Sequence, residues 1–586
     1  MNGNIQQSGL IGNCQFAALA GAGGAVEWLC WPRFDSSFVF GSLLDGSSGG
    51  EFKICSPHGV NGAQRYVSNT NVLVTHMVAP DGEFEIVDFA PRFRQFERSY
   101  RPTMLIRIVR PVRGNPKIVV TCRPVYEYGN KKLTPVVGSN HIEFQGAPQP
   151  IRLTTDVPLT HVLEERTFVL NRSMYFVLTW GAPLEAPLPE TCEQFLGRTI
   201  AYWQRWVKHC HLPDFFQRET IRSALVLKLH QFEDTGAIVA STTTSIPEAP
   251  GSERNWDYRY CWIRDACFTV RALGRLSHFE ELEGLENYLR NILANSKNRL
   301  QPVYGISGEQ NLDEQILQQL QGYQKHGPVR VGNQAFEHKQ FDVYGEMLLS
   351  LAPLYTDVRF GDQRLNLEAI NSLLNGIEMT LGEPDAGIWE LRGKQQVHTF
   401  TQLMHWAGAR QAKHMARLMK EDSLEKYADA LERRAAMIIT DRCRDLKSGR
   451  FTQAENVEET DAALLMLINL GFLKPSDPAA ADLCKEIEEK LHLGKKLIRR
   501  YAHPDDFGKP QVAFVVCTFW LAEAFARIGD KEAAVELIEA VLSCSNSLGL
   551  LSEDIDVNSG AMWGNYPQTY SHVGLLNAAF ALGEAS

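Results

Sequence analysis

The chain has 586 residues, 44% of them hydrophobic, and a formal net charge of −10. That length allows more than one buried core, and a mildly acidic, evenly mixed chain is ill suited to phosphate backbones or anionic lipid, which need clustered Lys and Arg. No apolar run reaches the roughly 18 residues of a membrane span, and Met1-Asn2-Gly3-Asn4-Ile5-Gln6-Gln7 lacks the basic and apolar regions of a secretory signal, so a cytoplasmic protein acting on a small neutral molecule is expected.

Up to about residue 190 the apolar residues recur in steps of two. Val72-Leu73-Val74-Thr75-His76-Met77-Val78, Met104-Leu105-Ile106-Arg107-Ile108-Val109 and Ile118-Val119-Val120-Thr121-Cys122 are rich in β-branched residues. Turn signals such as Pro80-Asp81-Gly82 and Arg113-Gly114-Asn115-Pro116 separate them. This is the pattern of an antiparallel β-sandwich, expected over 1–192. The Pro-rich stretch 182–189 breaks it, and a helix near 193–209 falls in a linker region, 193–214.

From 215 to 586 the period becomes helical. Leu424, Tyr427, Ala428, Leu431 and Ala435 share one face, as do Val512, Val515, Val516, Phe519 and Trp520. Twelve principal helices are expected near 215–232, 262–275, 280–296, 338–354, 363–380, 398–418, 424–440, 458–470, 478–492, 511–528, 531–544 and 568–583. Their connections alternate between long and short. The long ones are 233–261, 297–337, 381–397, 441–457, 493–510 and 545–567. Short links join antiparallel neighbours, so six helical hairpins in a ring place every long loop on one rim. That is an (α/α)6 barrel with its working face at one end.

Five of the six long loops carry dense aromatic and charged clusters. Asn255-Trp256-Asp257-Tyr258-Arg259-Tyr260-Cys261-Trp262-Ile263-Arg264-Asp265 packs four aromatics, two arginines and two aspartates into eleven residues. Aromatic faces stack on the apolar faces of sugar rings, and Asp and Arg bond vicinal hydroxyls in fixed geometry. The alternative is an Arg–Asp network that pins a helix start. The second loop runs into Gln340 and Asp342, and the third holds Gly387-Ile388-Trp389-Glu390-Leu391-Arg392-Gly393. A Glu behind a Trp, between glycines, suits a carboxyl kept from water, which raises its pKa toward that of a general acid; a Glu–Arg surface pair is the competing reading. The fifth loop has Arg499-Arg500-Tyr501 and the sixth has Glu553. Glycoside hydrolysis needs two carboxyls across the scissile bond, and Glu553 is the natural partner of Glu390.

Other patterns carry less. Gly46-Ser47-Ser48-Gly49-Gly50 matches G-x-S-x-G but leads into a strand rather than a helix. Asp554 to Gly560 resembles the start of a calcium loop, with the glycine one place late and Asn565 at position twelve. Gly21-Ala22-Gly23-Gly24 reads as a β-turn, and His572 as a structural hydrogen bonder. The twelve cysteines form no C-x-x-C pair, which fits reduced and mostly buried thiols. No metal or cofactor is expected.

Taken together these blocks resemble glycoside hydrolase family 15, the family of glucoamylases, glucodextranases and certain prokaryotic trehalases. The resemblance rests on Gly9 to Asp35, Ser245-Ile246-Pro247-Glu248, Arg254 to Asp265, Asp342-Val343-Tyr344-Gly345-Glu346, Gly387 to Glu390 and Gly564-Asn565-Tyr566-Pro567-Gln568, in the expected order. It implies Glu390 as general acid and Glu553 as general base. It implies that Arg264 and Asp265 grip the terminal glucose and that Trp262 and Trp389 line the same subsite. Asp257, Arg259, Gln340 and Arg500 are further binding residues carried over. Fungal glucoamylases follow the acid with a second acidic residue, whereas Leu391-Arg392 stands here, as is common in the prokaryotic branch. The expectation is an inverting, exo-acting α-glucoside hydrolase, first for α,α-trehalose and next for short α-1,4- or α-1,6-glucosides, working as a monomer or homo-oligomer. A disaccharide phosphorylase, which needs no general base, and a non-catalytic sugar-binding protein are the readings from other classes.

Overall fold

The computed structural model describes residues 4–296, 299–360, 367–445 and 447–584. Two antiparallel sheets form the N-terminal part. One runs Ser8–Gly12, Ala17–Gly21, Ala25–Cys30, Glu51–Cys55, Lys117–Arg123 and Phe168–Val169, with Phe38–Phe40 beside the third strand. The other has eight strands, with Met104–Gly114 between Met174–Trp180 and Gly82–Phe89. The alternation in 104–109 gives two apolar faces. Leu105 and Val109 enter the main core, whereas Ile106 and Ile108 join a second cluster with Leu188, Cys192, Phe195 and Leu196. Those four belong to a helix that thereby covers the outer face of the sheet, so the sheet is buried on both sides. Arg107, wholly buried, pairs with Asp88 at 2.7 Å and donates to the Phe52 and Gly24 carbonyls. It satisfies interior backbone acceptors while its own charge is met.

After a short α1 (Leu159–Leu163), the covering helix is α2, Leu188–Lys208. The barrel follows. Its inner helices are α4 (Ile263–Arg275), α6 (Asp342–Thr356), α8 (Thr399–Met419), α10 (Met466–Asn469), α12 (Val515–Ile528) and α14 (Thr569–Glu584). Each packs on the next, and α14 returns to α4 and closes the ring. Outside them lie α3 (Gln217–Leu229), α5 (Phe279–Asn295), α7 (Leu367–Thr380), α9 (Asp422–Arg442), α11 (Pro478–Leu491) and α13 (Lys531–Leu542). The architecture expected from the loop alternation is the one observed. The first residues of the expected helix 363–380, up to 366, lie outside the described residues.

Three helices start later than their apolar period suggests. In 458–470 the chain stays extended through Asp461, which bridges to Tyr501, and only a 3₁₀ turn (Ala462–Leu465) and the single turn of α10 follow. Residues 513–514 pair with Ile555 and Asp554 as a strand, so α12 begins at Val515. A 3₁₀ turn, Gln334–Glu337, precedes α6, which begins at Asp342. In the first two, backbone pairing on the rim wins over side-chain periodicity.

The twelve cysteines are all free, ten of them buried. Among the described residues no helix is long and apolar enough to cross a membrane. Gly46–Gly50 leads into the strand Glu51–Cys55, and Gly21–Gly24 is the turn of a hairpin. His572 bonds Ser223 Oγ at 2.9 Å and accepts from the Leu551 N–H.

Candidate active site

Five of the six long loops converge on one cavity at the barrel rim; the fourth, 441–457, does not line it. Counting the solvent in its open mouth, the cavity spans about 910 Å³. Glu390, Glu553, Arg264, Asp265, Trp262, Trp389 and Arg500 all face it.

Glu390 sits in a tight turn in which Leu391 N–H bonds the Ala386 carbonyl at 3.1 Å. The turn is anchored by buried Asp385, which accepts from the N–H groups of Gly387 and Phe341 and from the Thr401 hydroxyl. Gly387 has φ +65°, and a Cβ there would lie 2.7 Å from the His398 ring, so only glycine fits. Glu390 itself adopts φ +57°, a left-handed conformation that costs a non-glycine residue of order 1 kcal/mol and is held by its surroundings. Glu553 precedes a short strand, Asp554–Ile555, paired on both sides. Facing it is Gly564, where a Cβ would meet Glu553 Cβ at 2.6 Å.

Two neighbouring aromatics aim the carboxyls. Trp262 Nε1 donates to Glu390 Oε1 at 2.8 Å, and the Tyr258 hydroxyl donates to Glu553 Oε1 at 2.7 Å. The two rings meet edge to face, centroids 5.3 Å apart. Arg264 and Asp265 occupy the first turn of α4, with Arg264 NH2 3.5 Å from Glu390 and NH1 donating to Gln340 at 3.0 Å. Trp389 Nε1 donates to Asp461 at 2.6 Å, and the residue lines the cavity. Arg500 is spanned by both oxygens of Glu248, at 2.8 and 2.7 Å.

The electrostatics differ from the sequence expectation at Glu390. Burial does raise its carboxyl, but Arg264, His338 and the bonds from Gln340 and Trp262 outweigh it and leave the pKa below the ordinary value. Glu553 moves the other way: burial, then the charge of Glu248, push it up despite Tyr258 and Arg500. Asp265 rises to about 6 through burial, against the pull of Arg264. The free site therefore keeps its exchangeable proton on the Glu553 side.

Two carried-over residues are placed elsewhere. Asp257 and Arg259 are wholly buried, paired with each other at 2.6 Å, and Arg259 also donates to the Ser36 carbonyl and Tyr128 hydroxyl of the sandwich. They do not line the cavity; this is the Arg–Asp network that pins the loop. The segment is extended, so alternate residues face opposite ways: Trp256 and Tyr258 line the cavity while Asp257 and Arg259 turn to the sandwich. Gln340 lies behind Arg264 rather than on the wall. The sequence reading missed Tyr258, Glu248 and His338 as cavity residues. The period of two in 256–259 was the available signal for Tyr258. Asp556 is occupied by the N–H groups of Asn558 and Ser559.

Two carboxyls of opposed pKa face one cavity that Arg264 and Asp265 also line, and glycoside hydrolysis needs two carboxyls across the scissile bond. The comparisons with known proteins agree. The model for glycosyl hydrolases family 15 matches residues 218–580, and the trehalase-like N-terminal model matches 2–167. The chain is 32% identical to a trehalase of Mycolicibacterium smegmatis, over 98% of this chain and 90% of that one. It is 30% identical to a trehalase of Thermoplasma volcanium, over 99% and 94%. A bacterial glucoamylase complexed with acarbose shares the fold, with a TM-score of 0.69 at 14% identity, covering 100% of this chain and 95% of that one. The chain belongs to glycosyl hydrolases family 15 and is a glycoside hydrolase acting on a small sugar.

Proposed function

We propose that the enzyme hydrolyses α,α-trehalose by single displacement. The observation that carries this reading is the pair of aromatic-held carboxyls, Glu390 on Trp262 and Glu553 on Tyr258, in one cavity; the substrate follows from the trehalases to which the whole chain is similar. Arg264 and Asp265 hold the hydroxyls of the terminal glucose, and Trp262 and Trp389 wall its ring. As the sugar hydroxyls take up donors of Arg264 and water leaves, the positive charge against Glu390 is shared and its proton affinity rises. The site's proton then moves from the Glu553 side to Glu390, leaving Glu553 ionised, and Glu390 protonates the glycosidic oxygen. The bond from C1 to that oxygen breaks, a water held by ionised Glu553 bonds C1 from the opposite face, and the water's proton passes to Glu553. One β-glucose and one α-glucose leave.

The division into 1–192, 193–214 and 215–586 is the domain reading we retain, with α2 as the cover on the outer face of the eight-stranded sheet. Free thiols support a cytoplasmic location, and the charge of −10 supports a neutral substrate without nucleic acid or membrane. The test is steady-state kinetics on trehalose, maltose, isomaltose and maltopentaose. Trehalose is expected to have the highest kcat/KM; a preference for maltopentaose refutes the substrate, and strict dependence on phosphate refutes the reaction.

A further inference from the structure

The geometry points to Phe507 and Arg392 as the residues that hold the leaving sugar and so determine which disaccharide is cleaved. This rests on Glu390 as the acid. Whatever Glu390 protonates joins the two rings, so the second ring lies next to Glu390 in the cavity that Leu391, Arg392 and Phe507 also line. Leu391 is apolar and buried there, and offers no hydroxyl partner. Arg392 does. Its side chain is 39% exposed at the cavity, and among the described residues its one carboxylate approach is Glu314 at 4.0 Å, leaving donors in a planar fork for vicinal hydroxyls.

Phe507 supplies the opposing surface. It is 39% exposed, an unusual position for a phenyl ring unless something apolar covers it, and the ring lines the cavity. It projects from a turn, Asp505 to Gly508, closed by backbone bonds in both directions at 3.1 and 3.0 Å. The turn is fastened by Arg254, which pairs with Asp505 and donates to the Gly508 carbonyl at 2.7 Å. Trp256 meets the ring edge on at 5.6 Å, and the guanidiniums of Arg254 and Arg392 lie 5.4 and 5.6 Å from its centroid. Asp506, the residue before Phe507, accepts the N–H groups of Arg392 and Gly393 at 3.0 and 3.2 Å. That bond ties the platform to the loop that carries Glu390, so ring and acid keep a fixed relation. An apolar ring and a cationic fork in the same cavity as the acid fit a compact neutral hexose: the C–H face of the sugar on Phe507 and its hydroxyls on Arg392.

The test compares trehalose with α-glucosyl fluoride, which fills the same terminal-glucose site but has no second sugar. For Arg392→Ala and Phe507→Ala, kcat/KM on trehalose is expected to fall about 10–100-fold, the effect of removing a charged donor or an aromatic platform. On the fluoride it should stay within about threefold. Phe507→Tyr should restore most of the trehalose activity. Equal losses on both substrates, or no loss on trehalose, overturn the proposal. If the wild type prefers another glucose disaccharide, that substrate takes the place of trehalose. The wild-type panel then judges the substrate reading, and the variant ratio judges this one.

Discussion

Arg259→Met separates a structural arginine from a substrate-binding one. The guanidinium is wholly buried and makes two bonds to Asp257, at 2.8 and 2.6 Å, and one each to the Ser36 carbonyl and Tyr128 hydroxyl. Methionine keeps the apolar stem but leaves the Asp257 carboxylate with only the Arg259 backbone N–H, at 3.1 Å. Removing one partner of a buried pair costs about 3–5 kcal/mol, because the other charge stays out of water. Unfolding entropy of about 2.1 cal/mol/K per residue comes to roughly 1.2 kcal/mol/K over 586 residues. One continuous core links sandwich and barrel, so they melt together and Tm should drop by about 2.5–4 °C. The assay is calorimetry at a fixed scan rate, paired with KM for trehalose on the native enzyme at 25 °C. KM should stay within about twofold. An unchanged Tm with a tenfold rise in KM would refute the reasoning and return Arg259 to the sugar.

Further outcomes follow from the carboxyl pair. Glu390→Gln and Glu553→Gln should each lower kcat by at least about 10²–10⁴-fold. Glu553→Gln should melt no lower than wild type, since beside Glu248 and Asp554 the raised carboxyl is already held neutral and a neutral amide takes its place; a clear loss of Tm by circular dichroism would mark that carboxyl as structural. The pair binds one proton between a lowered and a raised pKa, so kcat/KM should be bell-shaped in pH, the alkaline limb being loss of the proton from the Glu553 side. Glu248→Gln removes a like charge, lowers the Glu553 pKa and should move that limb to lower pH with the acid limb unmoved. An alkaline limb that stays in place contradicts this.

The barrel was legible because loop length is a direct trace of hairpin geometry: short links force antiparallel neighbours, and the long loops must then share a rim. Glu390 and Glu553, 163 positions apart, could be placed on one face for that reason alone. What stayed hidden depends on contacts between loops. Glu390 reads as a desolvated acid until Arg264, from another loop, is seen 3.5 Å away. Asp257 and Arg259 share a dense motif with cavity-lining residues, yet the extended backbone turns them away from the cavity. The helix at 458–470 was cut short because Asp461 pairs with Tyr501, a partner forty residues on that no local period reports. The role of α2 depends on the outer face of the eight-stranded sheet, apolar where a one-sided sheet would be polar.

Proton NMR of the first products of trehalose hydrolysis, recorded faster than the anomers interconvert, tests the single displacement most directly. Attack by water opposite the leaving group inverts one anomeric carbon and leaves the other untouched, so β-glucose and α-glucose should appear in equal amounts from the earliest spectra. Release of α-glucose alone would contradict the roles given to Glu390 and Glu553.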